Sequence, residues 1–341
     1  MKSFFFGALT TLTLGLNACS NAPSSDAAKP KMAIGEIVSW DQALSGIVST
    51  NTPIEVLAEG FQWAEGPAWD SKRKQLYFSD VPQNKAFKWS EQDGLQAFLD
   101  PSGISINEAE GFREAGSNGL LMTPDGQLLI ANHGNRAVEL MNIETRTRQT
   151  VINNYEGLSL NSPNDIARAN DGTLFFTDPP YGLKGLNNSP LKEIAFSGIY
   201  KFSPDGSLAV IDKTQTFPNG IALSPDEAYL YVAISDPQNP VIMRYMRDEN
   251  NTYSKGELWF NSAPYQAKGW QGLPDGMVVA NSGHVFATGP GGVFILSPKG
   301  VALGQIQTGR ATANCTFGDD GNYLFITAGD VLARVQLKKP M

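Results

Sequence analysis

Six short stretches of the sequence each carry an oxygen-bearing side chain at the same place, ahead of a β-rich run. The stretches are AEGPAW from residue 64, SNGLLM from 117, PNDIAR from 163, PNGIAL from 218, PDGMVV from 274 and ANCTFG from 313, and their second residues are Glu65, Asn118, Asn164, Asn219, Asp275 and Asn314. A convergent set of carboxylate and amide oxygens, with no thiol or imidazole, suits a hard divalent cation such as Ca²⁺ rather than structural zinc. Glu65 and Asp275 supply two negative charges, which match one dication. The alternative is structural, because Asn and Asp beside Gly are common in turns.

The spacing of these stretches indicates which elements must position them. The six positions recur at intervals of 53, 46, 55, 56 and 39 residues, a mean of about 50, which is the length of a four-stranded propeller blade. Asp-Gly turns, aromatic runs and the counts of 34 Gly and 21 Pro also favour an all-β chain. The sequence therefore predicts a six-bladed β-propeller. A short N-terminal helix with Ser39 as its N-cap is expected outside the blades, and residues 53–61 are expected to supply the outer strand of the last blade.

In a propeller, each of the six residues would open the innermost strand of its blade, so their side chains would converge at one end of the central channel. The long connections 100–117, 182–197 and 261–273 would all lie on this same face, where loops can cover a ligand. The turns on the opposite face are short. This distribution predicts that the face with the ring is the functional one.

Other polar residues on or near that face have less specific signals. Asp80, Asp178 and Asp236 each follow Ser or Thr at the end of a second strand, and the repetition indicates a hydrogen bond that builds the blade. His133 is expected to face the mouth of the channel, where it could bind substrate or assist proton transfer, or be a packed, hydrogen-bonded imidazole. Tyr181 is expected to line the mouth or to pack below it.

The N-terminus has the pattern of a targeting segment. Residues 1–18 read as a lipoprotein-type signal peptide, with Lys2, an apolar run and Cys19 as the lipidated residue, and residues 19–35 read as a flexible tether before a single domain over 36–341. These features predict a bacterial cell-envelope lipoprotein that faces the periplasm, anchored in the outer membrane only through Cys19. An ordinary secretory signal, giving a soluble periplasmic or secreted protein, is the alternative. The net charge of −8 argues against nucleic-acid binding, and no protein partner is evident.

The ordered motifs AEGPAW, NHGNR, SPNDI, FTDPPYGL, FPNGIALSPD and LPDGM resemble those of the gluconolactonase/regucalcin (senescence marker protein) family of six-bladed propeller lactonases, over roughly residues 53–337. The resemblance implies a divalent cation, Ca²⁺ in the first place with Mn²⁺, Mg²⁺ or Zn²⁺ as alternatives. It implies Glu65, Asn219 and Asp275 as ligands, with Asn164 reaching the substrate or the cation. It further implies Asp275 as general acid/base. Asn118, His133 and Tyr181 are expected near the substrate because of their predicted places on the face with the ring.

The resemblance also implies hydrolysis of a small-molecule lactone, with a sugar lactone as the leading substrate class. Ser162 departs from family members that carry Arg at that position. The sequence has no Gly-x-Ser-x-Gly motif and only 2 His residues, which argues against a serine triad. Two alternatives remain open at this point: a calcium-bound propeller that binds a protein or glycan, and a paraoxonase-like esterase.

Overall fold

The computed structural model describes residues 1, 3, 4, 7 and 32–341 of the chain. Most of the predicted signal peptide and most of the predicted tether, including Cys19, therefore lie outside the described residues. Met32–Met341 form one compact unit. Among the described residues, no helix is long and apolar enough to cross a membrane.

The compact unit is an all-β propeller of six antiparallel sheets, as predicted. The first three blades, listed from the inner strand outward, consist of Ala64–Asp70, Gln75–Asp80, Lys85–Ser90 and Gly94–Leu99; of Ser117–Met122, Leu128–Asn132, Ala137–Met141 and Arg148–Ile152; and of Ile166–Arg168, Leu174–Asp178, Gly198–Phe202 and Leu208–Asp212. A small hairpin, Asn154–Tyr155 with Leu158–Ser159, lies between the second and third blades.

The last three blades follow the same plan, and two of them gain strands from the N-terminus. Blade four consists of Pro218–Leu223, Tyr229–Asp236, Asn239–Arg247 and Tyr253–Asn261; blade five of Met277–Val279, Val285–Gly289, Gly292–Leu296, Ala302–Gln307 and the N-terminal Glu36–Ser39; and blade six of Asn314–Gly318, Tyr323–Ala328, Val331–Gln336, Ile54–Glu59 and Ala33–Ile34. The innermost strands contact one another around the ring, and that of blade six closes on that of blade one.

The N-terminal segment closes the propeller. Ile54–Glu59 pairs with Val331–Gln336 of blade six, which confirms the expectation for residues 53–61. Ala33–Ile34 and Glu36–Ser39 also pair with blades, so the folded domain begins earlier than the predicted boundary at residue 36. Because these strands cover the outer edges of two blades, they remove exposed backbone donors and acceptors.

The short N-terminal helix is present, but its predicted N-cap was wrong. A 3-10 helix spans Gln42–Gly46, and its cap is Asp41, whose carboxylate accepts a hydrogen bond from the N–H of Ala43 at 2.8 Å. Ser39 instead ends the strand that pairs with blade five. Leu44 is fully buried in the hydrophobic cluster between blades five and six. The other helical turns are the 3-10 segments Ile106–Glu108 and Leu186–Asn188 and the α-helix Ala263–Gln266.

The hydrophobic core is divided among the interfaces between neighbouring blades. Six clusters fill the six interfaces, because each sheet is apolar on both faces and must bury both against its neighbours. Phe78 and Phe325, for example, lie in the cluster that joins blade one to blade six. This packing leaves the axial channel to be lined by the polar ends of the innermost strands.

Candidate functional site

The six residues of the predicted ring lie together at one end of the channel. Each opens the innermost strand of its blade or directly precedes it. Five of them are less than a tenth exposed, and Asp275 is half-buried. A cavity of about 670 Å³ opens at this end, and it is lined by Glu65, Asn118, Asn164, Asn219 and Asp275. Asn314 lies behind this surface, where its Nδ2 donates to Oε2 of Glu65 at 3.2 Å.

The glycines that follow several ring residues are required by close approach between blades. A Cβ added at Gly220 would lie 2.1 Å from the carbonyl oxygen of Asp275, and one at Gly66, where φ is +54°, would lie 2.2 Å from that of Asn118. Any larger residue would push a neighbouring ring residue out of place. The repeated ring-residue-plus-Gly pair is therefore a packing requirement of the closed ring, in addition to any turn preference.

Hydroxyl groups at the ends of three second strands bind the main chain at or beside the ring position of the next blade. Ser79 Oγ donates to the carbonyl of Asn118 at 2.8 Å, and Thr177 Oγ1 donates to that of Asn219 at 2.7 Å. Ser235 Oγ donates to the carbonyl of Pro274 in the same way. These bonds fix the main chain of the ring residues, and sequence reasoning had assigned no role to the hydroxyls.

The acids that follow these hydroxyls build the blades, as predicted. Asp80 accepts from the N–H groups of Gln62 and Trp63 at 3.0 and 3.2 Å. Asp178 accepts in the same way from the two residues at 161 and 162, at 2.7 and 2.8 Å. Asp236 accepts from Thr216 Oγ1 at 2.5 Å. None of the three lines the cavity.

Glu65 and Asp275 form a close pair of carboxyl groups on the surface of the cavity. Burial, with the charge of Asp165 added, raises the pKa of Glu65 from 4.5 to about 8, although hydrogen bonds from Gly66 and Asn314 oppose this. Burial, and then the charges of Glu65 and Asp165, raise the pKa of Asp275 well above 3.8. In the described part of the chain, no Lys, Arg or His forms an ion pair with either group. The pair therefore requires protons or a cation from outside.

Two of the ring amides are oriented by hydrogen bonds that occupy their nitrogens. Asn219 Nδ2 donates to Ser235 Oγ at 3.0 Å. Asn118 Nδ2 lies 3.2 Å from Nε2 of His133. Because an amide nitrogen only donates, Nε2 accepts, and in both residues the amide oxygen is the atom left for the cavity.

His133 differs from its predicted position at the mouth. It is fully buried behind Asn118 and does not line the cavity, so it has no surface for direct contact with a substrate. Burial and the charge of Arg113 lower its pKa to about 3, which keeps the imidazole neutral. With Nε2 accepting, the proton sits on Nδ1, which lies 3.7 Å from Oε2 of Glu114. The structure therefore matches the second of the two expectations for this residue, a packed imidazole with a hydrogen-bond partner.

The walls of the cavity come largely from the long connections. Arg113 and Glu114 belong to the segment 100–117, and Trp270 belongs to the segment 261–273. The segment 182–197 holds the segment 100–117 in place, since the N–H of Arg113 donates to the carbonyl of Gly182 at 2.8 Å. Tyr181 lines the cavity, as expected, with its ring stacked on Phe217 at 5.5 Å.

Sequence reasoning missed several residues at the site. Arg113, Glu114, Trp63 and Trp270 line the cavity, but they stand outside the repeated column and have no counterpart in other blades. Asp165, beside Asn164, accepts from the N–H groups of Ile166 and Ile221, at 2.9 and 3.2 Å. Burial raises its pKa to about 6. The signal for Asp165 was present, because it replaces the Gly that follows the ring residue in most blades.

The donor set fits a hard cation. Asp275 Oδ1 is buried and has no hydrogen-bond partner, and the amide oxygen of Asn219 is free to face the cavity. Among the described residues, no three His, Cys, Asp or Glu side chains cluster as a metal site, so a cation here would rely on two carboxylates supplemented by amide oxygens. Oxygen-only sets of this kind suit Ca²⁺ or Mg²⁺ better than soft metals.

Comparison with known proteins identifies the family of this chain. The family model for the SMP-30/Gluconolactonase/LRE-like region matches residues 63–330. A gluconolactonase of Zymomonas mobilis is 42% identical over 322 residues, which cover 92% of this chain and 90% of that protein. The structure of a gluconolactonase from Xanthomonas campestris is 28% identical with a TM-score of 0.77, covering 90% of this chain and 97% of that one. A calcium-binding regucalcin from Agrobacterium tumefaciens shares the fold, at 18% identity and a TM-score of 0.64, over 84% and 95% of the two chains.

Proposed function

The chain belongs to the SMP-30/gluconolactonase/LRE-like family and is a lactone hydrolase, and from that premise we propose that it opens sugar lactones in the cavity above the ring with one divalent cation. The observation that carries the proposal is the Glu65–Asp275 pair. Two adjacent carboxyl groups with raised pKa values, facing one cavity with oriented amide oxygens, are costly for a fold unless they bind something. A calcium-bound binding propeller could use the same pair to hold its ion, and similarity to lactone hydrolases is what favours the enzyme.

Glu65, Asn219 and Asp275 would hold the cation, with Asn164 beside them. Ca²⁺ is the proposed ion, because every donor is a carboxylate or amide oxygen. When bound, the cation would polarise the lactone carbonyl and stabilise the negative charge that develops on its oxygen.

The chain's own groups would carry out the proton transfers. Asp275 would take a proton from the attacking water as its oxygen bonds to the lactone carbonyl carbon. The ring C–O bond then breaks, and Asp275 returns the proton to the departing ring oxygen, which leaves a hydroxy acid. Asn164 and Asn118 would orient the water and the lactone. The position of Asp275 supports this role, because the residue lines the cavity and its Oδ1 has no hydrogen-bond partner within the described part of the chain.

Asp275→Asn tests the assignment. General-base assistance contributes about 10²–10⁴-fold, so kcat/KM for glucono-δ-lactone is expected to fall by that factor in a pH-stat assay with added Ca²⁺. Asp236→Asn is the matched control, because it makes the same chemical change at the same end of the propeller outside the cavity. Calorimetric titration with Ca²⁺ separates loss of the base from loss of the ion.

Wild-type turnover by Asp275→Asn would remove this residue from the mechanism. EDTA should abolish activity, and Ca²⁺ should restore it, with Mn²⁺, Mg²⁺ and Zn²⁺ compared in parallel. Aryl esters and phosphotriesters in the same assays test the paraoxonase-like alternative. Faster turnover of those substrates than of any lactone would overturn the proposed substrate class.

A further inference from the structure

We propose that the outer part of the cavity is a subsite for a second, neutral sugar ring, so that the substrates include δ-lactones of disaccharide acids. The inference rests on the proposed function and extends it. It starts from the size of the cavity, about 670 Å³. A lactone of one six-carbon sugar has about a dozen non-hydrogen atoms, fewer than the drug-sized ligands for which cavities of about 300–1,000 Å³ are typical.

The cavity has two chemically different parts. Its floor is the ring of carboxylates and amides that opens the innermost strands. Its wall includes the aromatic side chains Trp63 and Trp270 and the prolines Pro82 and Pro237, which follow the second strands of blades one and four. A lactone whose carbonyl reaches Asp275 on the floor would leave this wall in contact with whatever the lactone ring carries. The wall is therefore a separate recognition surface.

Trp270 packs against neighbouring groups at this wall. Its ring stacks with Tyr265 at 6.1 Å, the Lys268 Nζ lies 4.7 Å from its centroid, and a Cβ added at Gly291 would lie 2.8 Å from its Cε3. The indole nevertheless remains half-buried and contributes to the cavity surface. An aromatic ring whose position is set by packing binds an apolar ligand face with little loss of conformational entropy. The C–H face of a pyranose is apolar and can stack on such a ring.

The polar groups of the wall favour a sugar over an alkyl chain. Gln62 and Gln266 line the cavity, and Gln266 Nε2 donates to the carbonyl of Pro237 at 3.4 Å, which leaves its amide oxygen for a ligand hydroxyl. An alkyl chain would cover these amides without replacing the hydrogen bonds that they make with water.

The charges favour a neutral outer group. Arg113 is the cation among the described residues that line the cavity, and its Nε already donates to Glu114 Oε1 at 3.0 Å. Glu114, Glu65 and Asp275 are acids of the same cavity. Arg113 and one dication would balance these three acids, so the lining residues carry no net positive charge for a phosphate or carboxylate on the substrate. Lys268 lies over the Tyr265 and Trp270 rings and is not among the lining residues.

The experiment compares kcat/KM for the δ-lactones of gluconic acid, cellobionic acid and phosphogluconic acid and for δ-dodecalactone, using wild type, Trp270→Ala and Trp270→Phe. Wild type is expected to hydrolyse cellobiono-δ-lactone at least as efficiently as glucono-δ-lactone. Trp270→Ala should lower the disaccharide value about 10-fold and the gluconolactone value less than about 2-fold, since an aromatic contact at the wall is lost. Trp270→Phe should recover part of the loss.

Trp40→Ala is the control, because Trp40 stacks on Tyr265 at 5.3 Å but does not line the cavity. The same selective loss in this variant would mean that loop packing, and no sugar contact, causes the effect. Gluconolactone turnover without disaccharide turnover, or an equal loss on both substrates, would overturn the subsite while leaving the proposed function intact. A Trp270-dependent preference for the phosphorylated or alkyl lactone would overturn it as well. Absence of turnover on every lactone would refute the proposed function itself.

Discussion

Replacing Glu65 with Gln should make the metal-free protein more stable at alkaline pH, although the substitution removes a buried group from the centre of the fold. Gln has nearly the same shape and keeps a carbonyl oxygen for the hydrogen bonds from Gly66 and Asn314. It removes the charge that burial and the neighbouring acids Asp165 and Asp275 disfavour. Without a cation, the wild-type protein must either protonate Glu65 or keep this charge buried.

The size of the effect follows from the pKa of Glu65. A carboxyl whose pKa is higher in the folded protein than in the unfolded chain stabilises the fold fully below the unfolded value of 4.5. That stabilisation is lost as the pH rises through the folded value of about 8. At about 1.4 kcal/mol per pKa unit, the whole shift corresponds to roughly 5 kcal/mol, of which roughly 3–4 kcal/mol is lost between pH 5 and pH 8.

Urea unfolding of the EDTA-treated protein at several pH values between 5 and 8 measures this loss. Asp165 and Asp178, whose pKa values burial raises to about 6 and 7, and His133, whose pKa burial lowers to about 3, titrate in both proteins. The difference between wild type and Glu65→Gln therefore reports the titration of Glu65 together with its effect on Asp275, whose pKa the charge of Glu65 raises. From pH 5 to pH 8, wild type should lose roughly 3 kcal/mol more than the variant. Adding Ca²⁺ at pH 8 to about 100 times its Kd should restore about 2.7 kcal/mol to wild type and less to the variant.

Glu139→Gln is the matched control. Glu139 is also buried, but it accepts from Asn132 Nδ2 at 2.9 Å and lies 3.4 Å from Arg148. Loss of its charge should weaken the fold at pH 8, opposite to the effect at Glu65. Parallel pH dependences for wild type and Glu65→Gln, or a relative gain by wild type as pH rises, would refute the argument that the carboxyl pair is strained without a cation.

Two further predictions concern residues behind the cavity. Gly220→Ala places a Cβ 2.1 Å from the carbonyl oxygen of Asp275, so kcat/KM should fall at least about 10-fold because Asp275 is displaced. Gly46→Ala, where no atom lies within 4 Å of an added Cβ, is the control and should retain wild-type kinetics. Unchanged activity of Gly220→Ala would contradict the packing argument. His133→Ala removes the acceptor of the hydrogen bond from Asn118 Nδ2, so KM should rise about 10-fold with a smaller change in kcat. His133→Gln should bring KM part of the way back to the wild-type value. A KM that neither substitution changes would show that His133 does not orient Asn118.

Much of the fold was predictable because it repeats. Six copies of one pattern, each with a polar residue ahead of a β-rich run, determine both the blade count and the convergence of Glu65, Asn219 and Asp275. Because six repeats indicate the same unit, an uncertain assignment of one strand does not change the predicted architecture. Where a feature occurred once, prediction was weaker. Ser39 and Asp41 are both good N-caps, and the pairing of Glu36–Ser39 with blade five decided between them.

Only the tertiary structure decided how the ring is surrounded. His133 directly follows a strand on the correct face, yet the approach of Gly182 and Asn118 covers it completely. Arg113 and Trp270 reach the cavity from loops whose paths depend on contacts with distant segments, such as the bond from Arg113 N–H to Gly182. Side-chain periodicity along one strand fixes which face a residue occupies, and the sequence by itself therefore determined the ring. Burial and electrostatic environment depend on groups brought together from several blades, so only the folded chain could determine the cavity walls and the raised pKa values of the carboxyl pair.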